Sequence, residues 1–142
     1  MYTVKIVDTQ KEHDDAFTVR KKVFVEEQGV PLHLECDAED ATATHFIMYE
    51  NHEPVGAARL RGVENDTAKI ERVCILQTQR GKKLGALIMQ EMEKHASSIN
   101  KKKLKLHAQS YAIPFYEKLG YTVTSPEFMD AGIPHRAMEK SI

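Results

Sequence analysis

The pattern between residues 68 and 108 constrains the fold more than any other part of the sequence. Ala68–Leu76 is a run typical of a strand, a polar turn containing glycine follows it, and 84–98 carries apolar residues at helical spacing. Leu104–Ala108 then alternates apolar and polar residues, as a half-buried strand does. A strand, a helix and a strand in this order predict a right-handed crossover, with the two strands parallel or nearly so.

The rest of the chain predicts strands that pair in antiparallel fashion, because short polar turns join the three consecutive strands that end with Ala68–Leu76. The other predicted strands are 2–7, 44–49, 55–63, 121–124 and 136–142. A third, short helix is predicted over 113–119, where Gly120 ends it.

The first helix is predicted over residues 10–28. Thr9 and Glu12 have the spacing of a capping box, and Gly29 and Pro31 end the helix. Residues 31–43 have no clear period and predict a loop or an irregular helix. The resulting order is β-α-β-β-β-α-β-α-β-β, an α/β fold with a mixed, mostly antiparallel sheet flanked by helices.

Composition indicates one soluble globular domain spanning residues 1–142, since 142 residues suffice for a core and 42% are hydrophobic. Twenty basic and 21 acidic residues give a net charge of −1, which provides no global field for a nucleic acid. We expect no signal peptide and no membrane span, because no apolar run is long enough. Two distant cysteines, Cys36 and Cys74, fit a cytoplasmic protein with reduced thiols.

The turn between the strand and the helix of the crossover predicts an anion site. Unpaired backbone N–H groups and the positive end of the dipole meet at a helix N-terminus. Gly81 and Gly85 allow close approach to the backbone, and Arg80, Lys82 and Lys83 add charge. The expected ligand is a phosphate or pyrophosphate, although a solvated loop has the same composition. The segment is neither a Walker loop nor a dinucleotide fingerprint.

Two motifs resemble the GNAT superfamily of acetyl-CoA-dependent N-acetyltransferases. Gln109-Ser110-Tyr111-Ala112-Ile113-Pro114-Phe115-Tyr116-Glu117-Lys118-Leu119-Gly120-Tyr121 is similar to its fourth-strand-to-helix segment, and Arg80-Gly81-Lys82-Lys83-Leu84-Gly85 is similar to its pyrophosphate loop, Arg/Gln-x-x-Gly-x-Gly/Ala. The element order also resembles the GNAT fold. Val23–Pro31 and Gly132–His135 further resemble the ElaA-like subgroup.

The resemblance implies transfer of an acetyl group from acetyl-CoA to a primary amine of a small molecule or peptide. Tyr116 matches the tyrosine that protonates the CoA thiolate; a core aromatic is the alternative. Pantetheine would enter between two splayed strands beside Val73 and Ile75. The implied cofactor-binding residues are Val73, Cys74, Ile75, Arg80, Gly81, Lys82, Lys83, Leu84, Gly85, Ala86, Gln109, Ala112 and Tyr116.

Two of these positions depart from the family pattern. Lys83 replaces the middle glycine of the loop, so we expect it to have a helical backbone conformation. Gln109 stands where many members have Asn, so its amide has a different reach. Cys74 should be a buried, protonated and inert thiol.

The general base and the acceptor site are less constrained. Glu71 and His107, on the strands beside the splayed gap, are candidate bases. The alternatives are a surface carboxylate paired with Arg or Lys for Glu71, which the base rate favours, and a histidine that only caps the sheet for His107. The candidate acceptor-binding residues are Arg20, Glu26, Glu27 and His135. We expect no metal, nucleic-acid or membrane partner, and a homodimer is left open. The competing functions are a non-catalytic acyl-CoA-binding or sensor module and an interaction protein that presents helix 10–28.

Overall fold

The computed structural model describes all 142 residues and confirms the predicted mixed α/β fold. Its single sheet has eight strands. The strands are β1 (Tyr2–Ile6), β2 (Thr44–Glu50), β3 (Glu53–Gly62), β4 (Thr67–Ile75), β5 (Lys103–Gln109), β6 (Thr122–Val123), β7 (Phe128–Asp130) and β8 (Ile133–Ser141). The α-helices are α1 (Gln10–Arg20), α2 (Leu32–Glu35), α3 (Leu84–Ser98) and α4 (Ile113–Lys118).

The order across the sheet is β1-β2-β3-β4-β5-β8-β6, and β7 pairs with β8. Every pairing is antiparallel except that of β4 with β5, which the crossover through α3 makes parallel, as predicted. The sequence prediction missed β7, a three-residue strand. It also began β8 at 136 rather than at Ile133, because the turn at Ala131 and Gly132 starts a hairpin there.

The first helix continues beyond α1 as a π-helix, Lys21–Glu27. Thr9 begins it with the predicted capping box: its hydroxyl accepts from the Glu12 N–H at 3.1 Å, and the Glu12 carboxylate accepts from the Thr9 N–H at 3.2 Å. Gly29, with φ of 74°, follows the helix end. The segment predicted as a loop or irregular helix contains α2 and a 3₁₀ turn, Ala38–Ala41.

The two faces of the sheet carry separate apolar clusters. A cluster of 17 buried residues lies between the sheet and α3. A smaller cluster lies beneath the first helix and comprises Ala16, Val19, Val23, Ile47, Ala57 and Cys74. No helix in the structure combines the length and apolar character that a membrane crossing requires.

The parallel strands separate halfway along their length. Their pairing runs from Thr67 opposite Lys103 to Ile70 opposite Leu106 and then stops, although both strands continue. The predicted splay is therefore present. It leaves a gap between the second half of β4 and the end of β5.

Candidate active site

Backbone groups of β4 line one edge of the gap. The Leu76 N–H donates to the Val55 carbonyl of β3 at 2.9 Å. Leu76 and Cys74, two residues before it, therefore direct their backbone N–H and C=O groups towards β3. Since direction alternates along a strand, those of Val73 and Ile75 face the gap. The gap therefore presents backbone donors and acceptors where the resemblance implied that pantetheine pairs.

The loop after β4 exposes a row of backbone donors. None of the N–H groups from Gly81 to Ala86 donates to a protein acceptor, and no side chain caps the N-terminus of α3. Gly81 has φ of 84°, and open space surrounds the position of a β-carbon there. Six consecutive free N–H groups beside a helix N-terminus form a site suited to a pyrophosphate.

Lys83 does not have the helical backbone conformation expected from the sequence. It precedes α3 with φ of 62° and ψ of 25°, in the left-handed region. This conformation turns the chain from the loop into the helix, and glycine adopts it without steric cost. Lys83 therefore holds a strained conformation at the position where the family pattern has glycine.

Gly85 also has a role in packing that the sequence did not predict. A β-carbon at this position would lie 3.0 Å from the Phe115 ring, so the absence of a side chain lets α3 approach α4. Gly85 therefore lets the two helices pack closely, and its N–H remains free at the start of α3.

Arg80 and Glu27 were predicted for different ligands but pair with each other. The Arg80 guanidinium binds the Glu27 carboxylate in a two-pronged contact, one hydrogen bond measuring 2.7 Å, and its Nε donates to the Ile75 carbonyl at 3.1 Å. The hydrogen bond from Arg80 lowers the pKa of Glu27. Lys82 contacts Gln79 at 3.1 Å, so Lys83 is the one basic side chain of the loop without a polar partner.

Tyr116 lies on the α3 side of the sheet. Its ring packs edge-on against Phe115 and Tyr121, with centroids 4.9 and 6.1 Å away. Every fully buried polar side-chain atom in the protein has a hydrogen-bond partner. The Tyr116 hydroxyl has none, so it is not fully enclosed by protein atoms. Burial raises the pKa of Tyr116 above its usual value, which keeps the hydroxyl protonated at neutral pH.

Gln109 and Gln28 form an amide pair across the opposite face. Gln109 Nε2 donates to Gln28 Oε1 at 2.9 Å, and the reciprocal contact measures 3.3 Å. Because Gln28 follows the π-helix and Gln109 ends β5, the pair ties the first helix to one edge of the gap. Ala112, predicted for the cofactor, is half-buried in the 3₁₀ turn Ser110–Ala112 before α4.

Glu71 is poorly suited to act as a base. Its carboxylate contacts Arg59 and Arg61 at 2.8 Å each and Lys69 at 3.2 Å. Burial opposes ionisation, but the hydrogen bond from Arg61 and the charges of Arg59 and Lys69 outweigh it and lower the pKa of Glu71 to about 2. So acidic a group holds little affinity for a proton at neutral pH. The structure favours the paired-carboxylate alternative.

His107 and His135 share the face of Gln109 and enclose Phe128. The Phe128 ring centroid lies 5.0 Å from that of His107 and 6.0 Å from that of His135. Burial, and then the charges of Lys69 and Lys105, lower the pKa of His107, so its imidazole is neutral at pH 7. His135 Nδ1 lies 2.7 Å from the Ile133 carbonyl, so its Nδ1–H donates to that oxygen.

Arg20 is not available to an acceptor molecule. Its side chain is completely buried and contacts Glu35 at 2.9 Å and Asp40 at 2.7 Å. A long apolar stem and a guanidinium that satisfies two carboxylates place it in the interior rather than on a binding surface. Glu26, by contrast, is exposed and has no ionic or hydrogen-bonded partner.

Cys74 is buried in the cluster beneath the first helix, as expected. Burial raises the pKa of its thiol to about 12, and the sulfur lies 3.7 Å from the Ala57 carbonyl. Its backbone groups alternate with those of Val73 and Ile75 and are directed towards β3. No group of three or more His, Cys, Asp or Glu side chains is arranged to hold a metal ion.

Sequence reasoning missed three residues of this region. Gln28 lies inside a quoted motif, but nothing marked it as a partner of Gln109. Phe128 lies on the missed strand β7. Arg72 interrupts β4 with φ of 58°, a conformation without a sequence signal when the residue is not glycine.

Comparison with known proteins places this arrangement in a family. Residues 8–142 match the sequence profile of the acetyltransferase (GNAT) domain. The chain belongs to the GNAT acetyltransferase family. The predicted resemblance is thereby confirmed, and the protein is an acyltransferase.

Named relatives cover nearly the whole chain. It is 42% identical over 136 residues to the uncharacterized N-acetyltransferase YjcF of Bacillus subtilis (strain 168), covering 95% of this chain and 96% of the relative. It is 30% identical over 129 residues to the protein ElaA of Escherichia coli (strain K12), covering 87% and 84%. The crystal structure of an acyl-CoA N-acyltransferase from Pseudomonas aeruginosa superposes with a TM-score of 0.87 at 24% identity, covering 99% and 98% of the two chains.

Proposed function

We propose that residues 1–142 act as one N-acetyltransferase domain that transfers an acetyl group from acetyl-CoA to a primary amine of a small molecule or peptide. One observation carries the proposal: the gap between β4 and β5 opens next to six consecutive free N–H groups. A donor with a pyrophosphate and an extended, amide-containing arm has the chemistry that both features accept.

The donor binds through backbone groups. Its pyrophosphate accepts hydrogen bonds from the N–H groups between Gly81 and Ala86, where the dipole of α3 favours negative charge. Its pantetheine pairs with the gap-facing groups of Val73 and Ile75. The Ile75 carbonyl now accepts from Arg80, so that side chain turns away when the pantetheine amide takes its place.

The acceptor approaches from the face of Gln109, His107 and His135. A lysine-like amine has a pKa near 10.4 and must lose a proton before it attacks. Neutral His107 accepts that proton through a water molecule, a role for which Glu71 is too acidic. The attacking nitrogen forms its bond to the acetyl carbon, and the carbonyl oxygen gains negative charge that the Val73 N–H stabilises.

Collapse of this intermediate breaks the carbon–sulfur bond and expels the CoA thiolate. Tyr116, protonated and accessible at its hydroxyl, donates a proton to the sulfur. The products are an acetylated amine and CoA. Both cysteines are free thiols, which fits a reducing compartment such as the cytoplasm.

Calorimetric titration with acetyl-CoA and thiol release with a panel of amines test this function. We expect binding of one donor per chain and CoA release that depends on the amine. Binding without release for any amine would favour the alternative, a non-catalytic acyl-CoA sensor. The absence of binding would eliminate both.

A further inference from the structure

Strand β4 changes face at Arg72. Ala68 and Ile70 point into the main core, but beyond Arg72 it is Val73 and Ile75 that pack against that core. The register confirms one extra residue on β4: two steps on β3, from Ala57 to Arg59, oppose three on β4, from Cys74 to Glu71. Arg72 is thus a β-bulge, and it sets which backbone groups face the gap.

The backbone of this bulge is strained. Arg72 has φ of 58°, a region in which bulges of this kind normally have glycine. A residue with a β-carbon persists there only where the surrounding structure holds it. Without such support the extra residue would be expelled, and Val73 would turn its N–H away from the gap.

The Arg72 side chain supplies the support. Its Nε lies 2.9 Å from the Glu35 carboxylate, and its Nη2 donates to the Leu34 and Glu35 carbonyls and to the Asp37 carboxylate, each at 3.2 Å. Glu35 is itself buried against Arg20. The guanidinium is therefore fixed from several sides to the segment that contains α2.

We propose that Arg72 is a positioning residue for acetyl transfer, whose anchored bulge directs the backbone N–H of Val73 at the acetyl carbonyl in the gap. This rests on the function proposed above. The contacts of Arg72 with Leu34, Glu35 and Asp37 thus link the segment containing α2 to the position of the oxyanion donor.

Three variants distinguish the effect of the bulge from that of the Arg72 side chain that anchors it. Arg72→Gly loses the anchor but adopts the left-handed conformation freely, so the bulge persists. Arg72→Ala loses the anchor and keeps the strain, so the bulge is lost. Arg61→Ala is the control, since it removes an arginine that contacts Glu71 at 2.8 Å in the same network without touching the bulge.

Amide NMR spectra during titration with acetyl-CoA provide the readout. In the wild-type protein, the control and Arg72→Gly, we expect the Val73 amide proton to move downfield together with amides of 81–86. In Arg72→Ala only the loop amides should move. With any amine that is turned over, Arg72→Ala should lower kcat by about 10²-fold relative to Arg72→Gly, as loss of an oxyanion donor does. Acetyl-CoA should also bind more weakly to Arg72→Ala than to Arg72→Gly, because the groups of Val73 that pair with pantetheine leave the gap as well.

Two results would overturn the inference. In the first, the Val73 amide resonance shifts as far in Arg72→Ala as in the wild-type protein. In the second, the wild-type Val73 resonance does not shift although the resonances of the loop amides do. If no amide moves, the proposed function itself fails. Should Arg72→Ala not fold, Arg72→Lys replaces it, because it retains the β-carbon but not the fork of donors; its Val73 shift should be smaller than that of Arg72→Gly.

Discussion

Replacing Lys83 by glycine should stabilise the protein, against the usual effect of a new glycine. The left-handed conformation costs a residue with a β-carbon about 1–2 kcal/mol, which glycine avoids. Glycine loses about 0.5–1 kcal/mol more conformational entropy on folding. The net gain is about 1 kcal/mol, or an increase in Tm of about 3 °C for a chain of this size.

Urea and thermal denaturation of four variants measure this effect. Lys83→Ala removes the same charge and keeps the strain, so the difference between Lys83→Gly and Lys83→Ala isolates the backbone. Lys82 is the matched control, since it lies beside Lys83 in the same loop but has no positive φ. There glycine should be less stable than alanine by about 0.5–1 kcal/mol. If glycine and alanine differ with the same sign at both positions, the assigned backbone conformation of Lys83 is wrong.

Three further changes test the site and its surroundings. Tyr116→Phe should leave acetyl-CoA affinity and Tm nearly unchanged and lower kcat and kcat/KM together by about 10²–10⁴-fold, measured by thiol release; a rate within twofold of wild type removes the hydroxyl from the mechanism. Gly81→Pro should weaken acetyl-CoA binding in calorimetry more than Arg80→Ala does, because it removes an N–H and cannot adopt φ of 84°; equal losses would place the phosphate elsewhere. Glu71→Gln should cost roughly 3 kcal/mol of unfolding free energy at pH 7, and progressively less as the pH falls from about 4.5 towards 2, because the folded-state pKa is about 2; a cost independent of pH contradicts the assigned ion pairs.

The order of elements was predictable because local patterns determine it. The periodicity of α3, the capping box at Thr9 and the crossover from β4 to β5 each depend on residues close in sequence. Strand β7 was not predictable, because three residues are too few to show an alternation of apolar and polar side chains. The match to the family follows from the two motifs, which are also continuous in sequence.

The candidate site was predictable only in part, since its charges are set by distant contacts. Arg80 and Glu27 are 53 positions apart, and neither segment indicates that they pair. Arg20 reads as a surface residue of a helix until Glu35 and Asp40 are seen to enclose it. The free N–H groups of Leu84 to Ala86 were predictable because the first turn of a helix always exposes them, whereas those of the loop before it depend on the turn at Lys83.

The buried ion network has an evolutionary consequence. Arginines 20, 59 and 72 share four carboxylates between them, and every buried polar atom is satisfied. The carboxylates are Glu35, Asp37, Asp40 and Glu71. Loss of one partner leaves a buried charge uncompensated and lowers the free energy of unfolding by about 3–5 kcal/mol. Selection therefore removes single substitutions in the network, and its residues change mainly in compensating pairs. Glu26 is exposed and has no ionic partner, so its substitution carries no such cost and this position can vary while the network stays fixed.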